Sequence, residues 1–274
     1  MDESAYLLVI ISCIPVIIMC AYIYNKDKDK EPARILRKLF LCGIFSIVPI
    51  VILELIADKV MIVDNNNLVS LFINVFIGVG LIEEGAKWVI VNKAVYFDKE
   101  FNHAYDAIIY CVFTSLGFAL IENLLYVFDS GSLIGIFRGI TTIPLHTFTG
   151  VVMGYFLGKA KQADINNNEK EAKKYMFYSL IVPIICHTFY DFLIFAQRFA
   201  AVVLFFIFVL ATYIISIILV RKISFVKKNF DGSSLKSKMK KTFSSESDLF
   251  EDTLFKTLVV SLSLIIVSSY LILF

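Results

Sequence analysis

Eight stretches of this chain are apolar for long enough to cross a lipid bilayer, at about 5–24, 39–57, 68–95, 106–128, 134–158, 176–197, 200–220 and 257–274. A bilayer core about 30 Å thick takes roughly 20 apolar residues of helix to span, so these runs use up most of the chain. With 58% of its 274 residues hydrophobic and 18% charged, and a mean hydropathy of +0.78, the composition excludes a water-soluble globular domain. A transmembrane β-barrel would show alternating segments of about ten residues, whereas Ile47 to Leu53 is apolar at both parities. The predicted fold is all-α: a polytopic integral membrane helical bundle of about eight transmembrane helices, forming one membrane domain over 1–274.

Charge sets the expected orientation. If the N-terminus lies outside, 22 of the 26 Lys and Arg residues fall on the inner side, in 25–38, 93–105, 159–175 and 221–256, and only Lys59, Arg138 and Arg198 fall outside. That bias follows the positive-inside rule and predicts both termini outside. Lys87 remains, within the third run. Asp2 and Glu3 precede the first run where a signal peptide would be basic, so that run is expected to stay as an anchor. The net charge of +2 gives no reason to expect a nucleic-acid partner; the lipid bilayer is the partner the composition implies. Cys13, Cys20, Cys42, Cys111 and Cys186 all sit in apolar runs and read as packing residues. The stretch 221–256 reads as a polar cytoplasmic linker before the last helix.

Ionisable residues inside a membrane are costly, at least ~2.5–3.5 kcal/mol each near the centre on insertion scales, and usually pair or function. Here they are Glu54 in the second run, Glu83, Glu84 and Lys87 in the third, Glu122 in the fourth, His146 in the fifth, and His187 and Asp191 in the sixth. Lys87 follows Glu83 by four and Glu84 by three, placing one cation on the same helical side as both carboxylates. Glu122 and Tyr126 are four apart and within hydrogen-bonding reach. Pro144 loosens the helix just before His146, which suits a site wall. Asp191 follows His187 by four, the spacing at which a carboxylate orients an imidazole. His103 lies in a polar turn and is expected at the surface.

Such a set can activate water by general-base catalysis or by holding a divalent metal. HExxH and GxSxG are absent, and the Tyr-Asp pairs at 105–106 and 190–191 lack a GxGD partner. A glutamate and histidine hydrolase is one expectation. A proton-coupled or ion-coupled transporter is another, because relays need the same groups, and a non-catalytic scaffold is the third.

The motifs Glu83-Glu84-x-x-Lys87, Phe118-x-x-x-Glu122-Asn123, His146 and His187-x-x-x-Asp191, in this order over 68–197, resemble those of the PrsW intramembrane proteases, a branch of a wider group with the CAAX-processing endopeptidases. CAAX-type relatives usually carry Arg one position after Lys87, histidine in place of Glu122 and often Asn in place of Asp191, so the resemblance is to the PrsW branch. It implies a multi-pass protease of the bacterial cell membrane that makes the first (site-1) cut in a single-span anti-sigma factor on the outer side. That cut starts the regulated intramembrane proteolysis that frees a sigma factor in a stress response. It further implies a catalytic core over 68–197, in which Glu83 and Glu84, with Lys87 beside them, activate water. His146 or His187 stabilises the oxyanion or protonates the leaving amine, and Asp191 orients His187. Glu122 has the least defined role; with His146 and His187 it is a candidate ligand for a divalent metal such as zinc.

Straight helices would separate these groups. Glu83 is about 15 residues, or ~22 Å, from the outer end of its run, and Glu122 about six, or ~9 Å. Convergence requires the third helix to tilt or to start lower in the membrane.

Overall fold

The computed structural model describes residues 3–61 and 67–224. Among them all regular structure is helical, and seven helices are long and apolar enough to cross a membrane. They are α1 (Glu3–Lys26), α2 (Ala33–Val60), a broken third span, α5 (Ala104–Ser130), α6 (Ser132–Ile165), α7 (Glu169–Phe195) and α8 (Phe199–Ser224). The third span consists of α3 (Leu68–Val75), a π-helical turn Phe76–Gly80 and α4 (Leu81–Val95). The first seven apolar runs are therefore helices. The eighth run, 257–274, and nearly all of the 221–256 linker lie outside the described residues.

Several helices extend beyond their apolar runs, because backbone hydrogen bonding continues after the side chains become polar. Helix α7 starts seven residues before its run, at Glu169, where the Asn168 side chain accepts from the Glu171 N–H. Helix α6 runs on through Lys159 to Ile165.

Helices α5 and α6 are the most buried spans, while the more strongly apolar α1 and α8 are largely exposed. This is the order expected in lipid, where the outer helices need only be apolar and the less apolar ones are shielded by them. Small residues bring the central pair together. A Cβ added at Gly154 would fall 2.5 Å from the Ala107 carbonyl oxygen, and one at Gly150 2.9 Å from Val112 Cα, so α6 approaches α5 to backbone contact. Gly43 of α2 and Gly117 of α5 do the same for that pair, with added Cβ atoms 2.1 Å from Thr114 O and 2.0 Å from Phe40 O. Pro144 cannot donate to Ile140 O, and the Tyr213 hydroxyl of α8 donates to that oxygen instead at 2.8 Å.

One end of the bundle gathers the linkers 27–32 and 96–103 and the end of α6. Tyr105 Oη donates to Ile23 O at 2.8 Å, Tyr110 Oη donates to Glu31, and Lys161 Nζ donates to Tyr96 O. Most of the basic residues described belong to this end. His103, expected at the surface, is half-buried as the N-cap of α5, where Asp106 Oδ2 accepts its backbone N–H at 2.6 Å. All five cysteines are free.

Glu31 is 5% exposed in the 27–32 linker, outside the spans. Burial, and next the negative charge of Asp106, push its carboxyl up from 4.5 to about 8. The fold therefore favours protonated Glu31, a contribution fully present below pH 4.5 and lost as pH rises through 8. Melting temperature in detergent is expected to fall between pH 5 and 8.5, and Glu31→Gln should flatten that slope. An unchanged slope in the variant would assign the dependence to another group.

Candidate active site

The π turn Phe76–Gly80 ends three residues before Glu83 and carries two buried glycines, Gly78 and Gly80. A Cβ at Gly80 would fall 2.4 Å from Thr188 Oγ1 and 3.2 Å from Ile184 O, so only glycine lets the start of α4 approach α7 this closely. Phe72 of α3 packs edge-on against Phe192 of α7 at 5.6 Å, and Trp88 Nε1 of α4 donates to Ser179 Oγ of α7 at 2.9 Å. The broken span is thereby fixed along α7, with Glu83 and Glu84 facing His187.

Within this frame Lys87 Nζ donates to Glu83 Oε2 at 3.1 Å, to Glu84 Oε1 at 2.9 Å and to His146 Nδ1 of α6 at 3.1 Å. It also lies 4.2 Å from the centre of the Phe118 ring of α5. An ammonium only donates, so His146 Nδ1 accepts and the ring proton sits on Nε2, which donates to Glu122 Oε2 at 2.9 Å. Glu84 Oε1 also takes His187 Nδ1 at 2.9 Å and the Thr149 hydroxyl at 3.3 Å, while Glu84 Oε2 is buried without a hydrogen-bond partner. His187 Nε2 faces Asp191 Oδ2 at 3.3 Å. The seven ionisable residues of the motifs thus form one connected set on four spans, and Glu54 of α2 makes no hydrogen bond or ion pair to it.

The set is a column graded in exposure. Glu84, Lys87 and His146 are 0% exposed and Glu83 4%, while the side chains of Glu122 and Asp191 are 17% and 16% exposed. Depths that straight helices would separate are bridged by stepping through side chains from Glu122 to His146 to Lys87. In addition, His187, eight residues or ~12 Å from the end of α7, meets Glu83, fifteen residues or ~22 Å from the start of α3. The ends of these helices are therefore staggered along the bundle.

Two expectations change. Glu122 pairs with His146 and with Arg138, whose Nη2 is 2.7 Å from Oε1, and not with Tyr126; the Tyr126 ring instead lies under the Arg138 guanidinium at 3.8 Å. The oxygen and nitrogen atoms able to hold a metal come from Glu83, Glu84, His146 and His187, within 4.8 Å of one another. The two histidines stay in that set, whereas Glu122 sits behind the His146 ring, on its other nitrogen. Sequence reasoning missed Arg138 and Thr149. Arg138 was countable only as an outer charge, although it lies inside an apolar run, and a threonine among apolar residues carries no signal of its own.

Comparison with known proteins identifies the chemistry. Residues 31–218 match the model of the family described as PrsW family intramembrane metalloprotease. The chain belongs to the PrsW family. It is 34% identical to Protease PrsW of Clostridioides difficile (strain 630) over 239 residues, which cover 85% of this chain and 98% of that protein. To Protease PrsW of Bacillus subtilis (strain 168) it is 34% identical over 181 residues, 66% of this chain and 79% of that one. No solved structure matches. The chain is accordingly a membrane-embedded protease, an enzyme. Two carboxylates and two imidazoles suit a divalent ion, and the unpartnered Glu84 Oε2 adds a spare oxygen. Such an ion would share its oxygens with the Lys87 ammonium, already within 3.1 Å of three of the four residues.

Removing one partner of a buried ion pair leaves the other uncompensated, at a cost of about 3–5 kcal/mol. Lys87→Met is expected to lower stability by that order. Adding Glu84→Gln should restore part of it, because the pair is coupled. Thermal unfolding of the four proteins in detergent measures this, and additive losses would show that Lys87 and Glu84 are not coupled.

Proposed function

We propose that the protein makes the first, outer-side cut in a single-span anti-sigma factor of the bacterial cell membrane, and that Glu84 is the general base. The observation that carries this reading is the asymmetry of the Glu84 carboxylate. Oε1 is held by Lys87, His187 and Thr149, while Oε2 is buried with no hydrogen-bond partner. An oxygen so placed can take a proton from an attacking water. Glu83, sharing the same ammonium, assists in orienting that water. Once the water has attacked the scissile carbonyl, a proton must reach the leaving amine. His187, oriented by Asp191 and hydrogen-bonded to Glu84, lies on the path from the base. His146 accepts from Lys87 and so holds in place the ammonium beside the paired carboxylates. A divalent ion held by Glu83, Glu84, His146 and His187 would supply Lewis-acid polarisation of the carbonyl and a more acidic water.

Family membership supports a membrane protein as substrate, and the family resemblance suggests an anti-sigma factor. The outer-side cut is supported by the gradient of exposure. The accessible members of the column, Glu122, Arg138 and Asp191, lie toward the end of the bundle opposite the basic linkers. The positive-inside rule makes that the outer end, with the N-terminus outside.

The test is co-reconstitution in liposomes with a tagged panel of single-span anti-sigma factors, product mass mapping, and a chelator arm. Wild type is expected to cut one partner near the outer membrane face. Glu84→Gln and His187→Ala, equally folded, should lose activity by roughly 10²–10⁴-fold, the usual worth of a general acid or base. Loss on chelation with return on adding zinc assigns the Lewis-acid route. A cut that survives Glu84→Gln removes Glu84 from the mechanism.

A further inference from the structure

A peptide bond inside a membrane can be attacked only where the substrate helix has unwound, and unwound backbone at that depth needs hydrogen-bond partners because lipid offers none. The donors nearest the carboxylates are already committed. Lys87 donates to Glu83, Glu84 and His146; both ring nitrogens of His146 and of His187 have partners; and the Thr149 hydroxyl faces Glu84.

Arg138 is different. Its guanidinium is held in place by the Glu122 carboxylate at 2.7 Å and by the Tyr126 ring at 3.8 Å, yet Nε is buried without a hydrogen bond. The Nη2 nitrogen is committed to the Glu122 ion pair. A planar fork of five N–H donors is thus oriented, with the Nε–H unpaired. It also stands at the mouth of the column. Arg138 precedes His146 by eight residues, or ~12 Å along the helix toward the outer end, and its side chain is 13% exposed. A segment entering from the outer side meets Arg138 before it meets the carboxylates.

We propose that Arg138 docks the unwound backbone of the substrate on the outer side of the scissile bond, its N–H edge taking a carbonyl oxygen that has lost its helical partner. This role rests on the proteolytic reading above. It requires the fork and not merely a positive charge. A lysine would keep the charge opposite Glu122 while replacing directed, planar donors with a point charge on a flexible stem.

The experiment uses the full chain in liposomes with the partner cleaved in the assay above, and separates KM from kcat. Arg138→Lys is expected to raise KM roughly tenfold, the worth of one or two hydrogen bonds, and to leave kcat within about twofold. Tyr126→Leu, at a position 45% exposed, removes the platform under the guanidinium and should raise KM in the same direction by less. If Arg138→Lys does not fold, the Tyr126→Leu result decides alone. Unchanged KM in the folded variants, or a fall in kcat with KM unchanged, overturns the docking role while leaving the protease intact. If wild type cleaves no partner, the proteolytic reading falls and the docking role falls with it.

Discussion

The arrangement depends on one ammonium group. Lys87 Nζ is 0% exposed in a protein that spans lipid, and it is tolerable there only because Glu83, Glu84 and His146 surround it and the Phe118 ring lies beneath. Those five residues come from α4, α6 and α5. The charge therefore makes a demand on three helices at once, and α7 joins through His187 on the oxygen of Glu84 that Lys87 also holds.

Meeting that demand takes backbones that approach closely. Gly80 lets α4 reach α7, and Gly150 and Gly154 let α6 reach α5. The π turn that contains Gly80 ends three residues before Glu83, and such turns are frequent at functional sites. Packing and polar chemistry are in this sense one design. Small residues remove the side chains that would hold the helices apart, and the charged cluster gives the apposed faces a reason to meet. Chemically, the result is a gradient from a sealed interior around Glu84 to a more accessible rim of Glu122, Arg138 and Asp191.

Much of this was legible in the sequence because lipid makes polar residues conspicuous. An ionisable side chain in an apolar run stands out, and every one of Glu83, Glu84, Lys87, Glu122, His146, His187 and Asp191 did so. Local pairs at three or four residues were equally readable: Lys87 with Glu83 and Glu84, and His187 with Asp191, are in contact. Tyr126 with Glu122 had the same spacing and did not pair, because Arg138 from the next helix competes for that carboxylate and takes the tyrosine ring as well. Arg138 itself was counted only as an outer charge, since charge counting assigns a residue to a side of the membrane and says nothing of what it touches.

The sequence by itself determined the seven described spans, their helical nature and the identity of the ionisable residues that must be shielded, because bilayer thickness and the cost of burying charge act on any one helix alone. Only the tertiary structure decided which of those residues meet. That Lys87 reaches His146 across 59 positions, that Glu84 takes His187 across 103, and that Glu122 stands behind the imidazole are consequences of helix stagger, a π turn and glycine contacts. These are relations between helices, and no periodicity within a single helix encodes them.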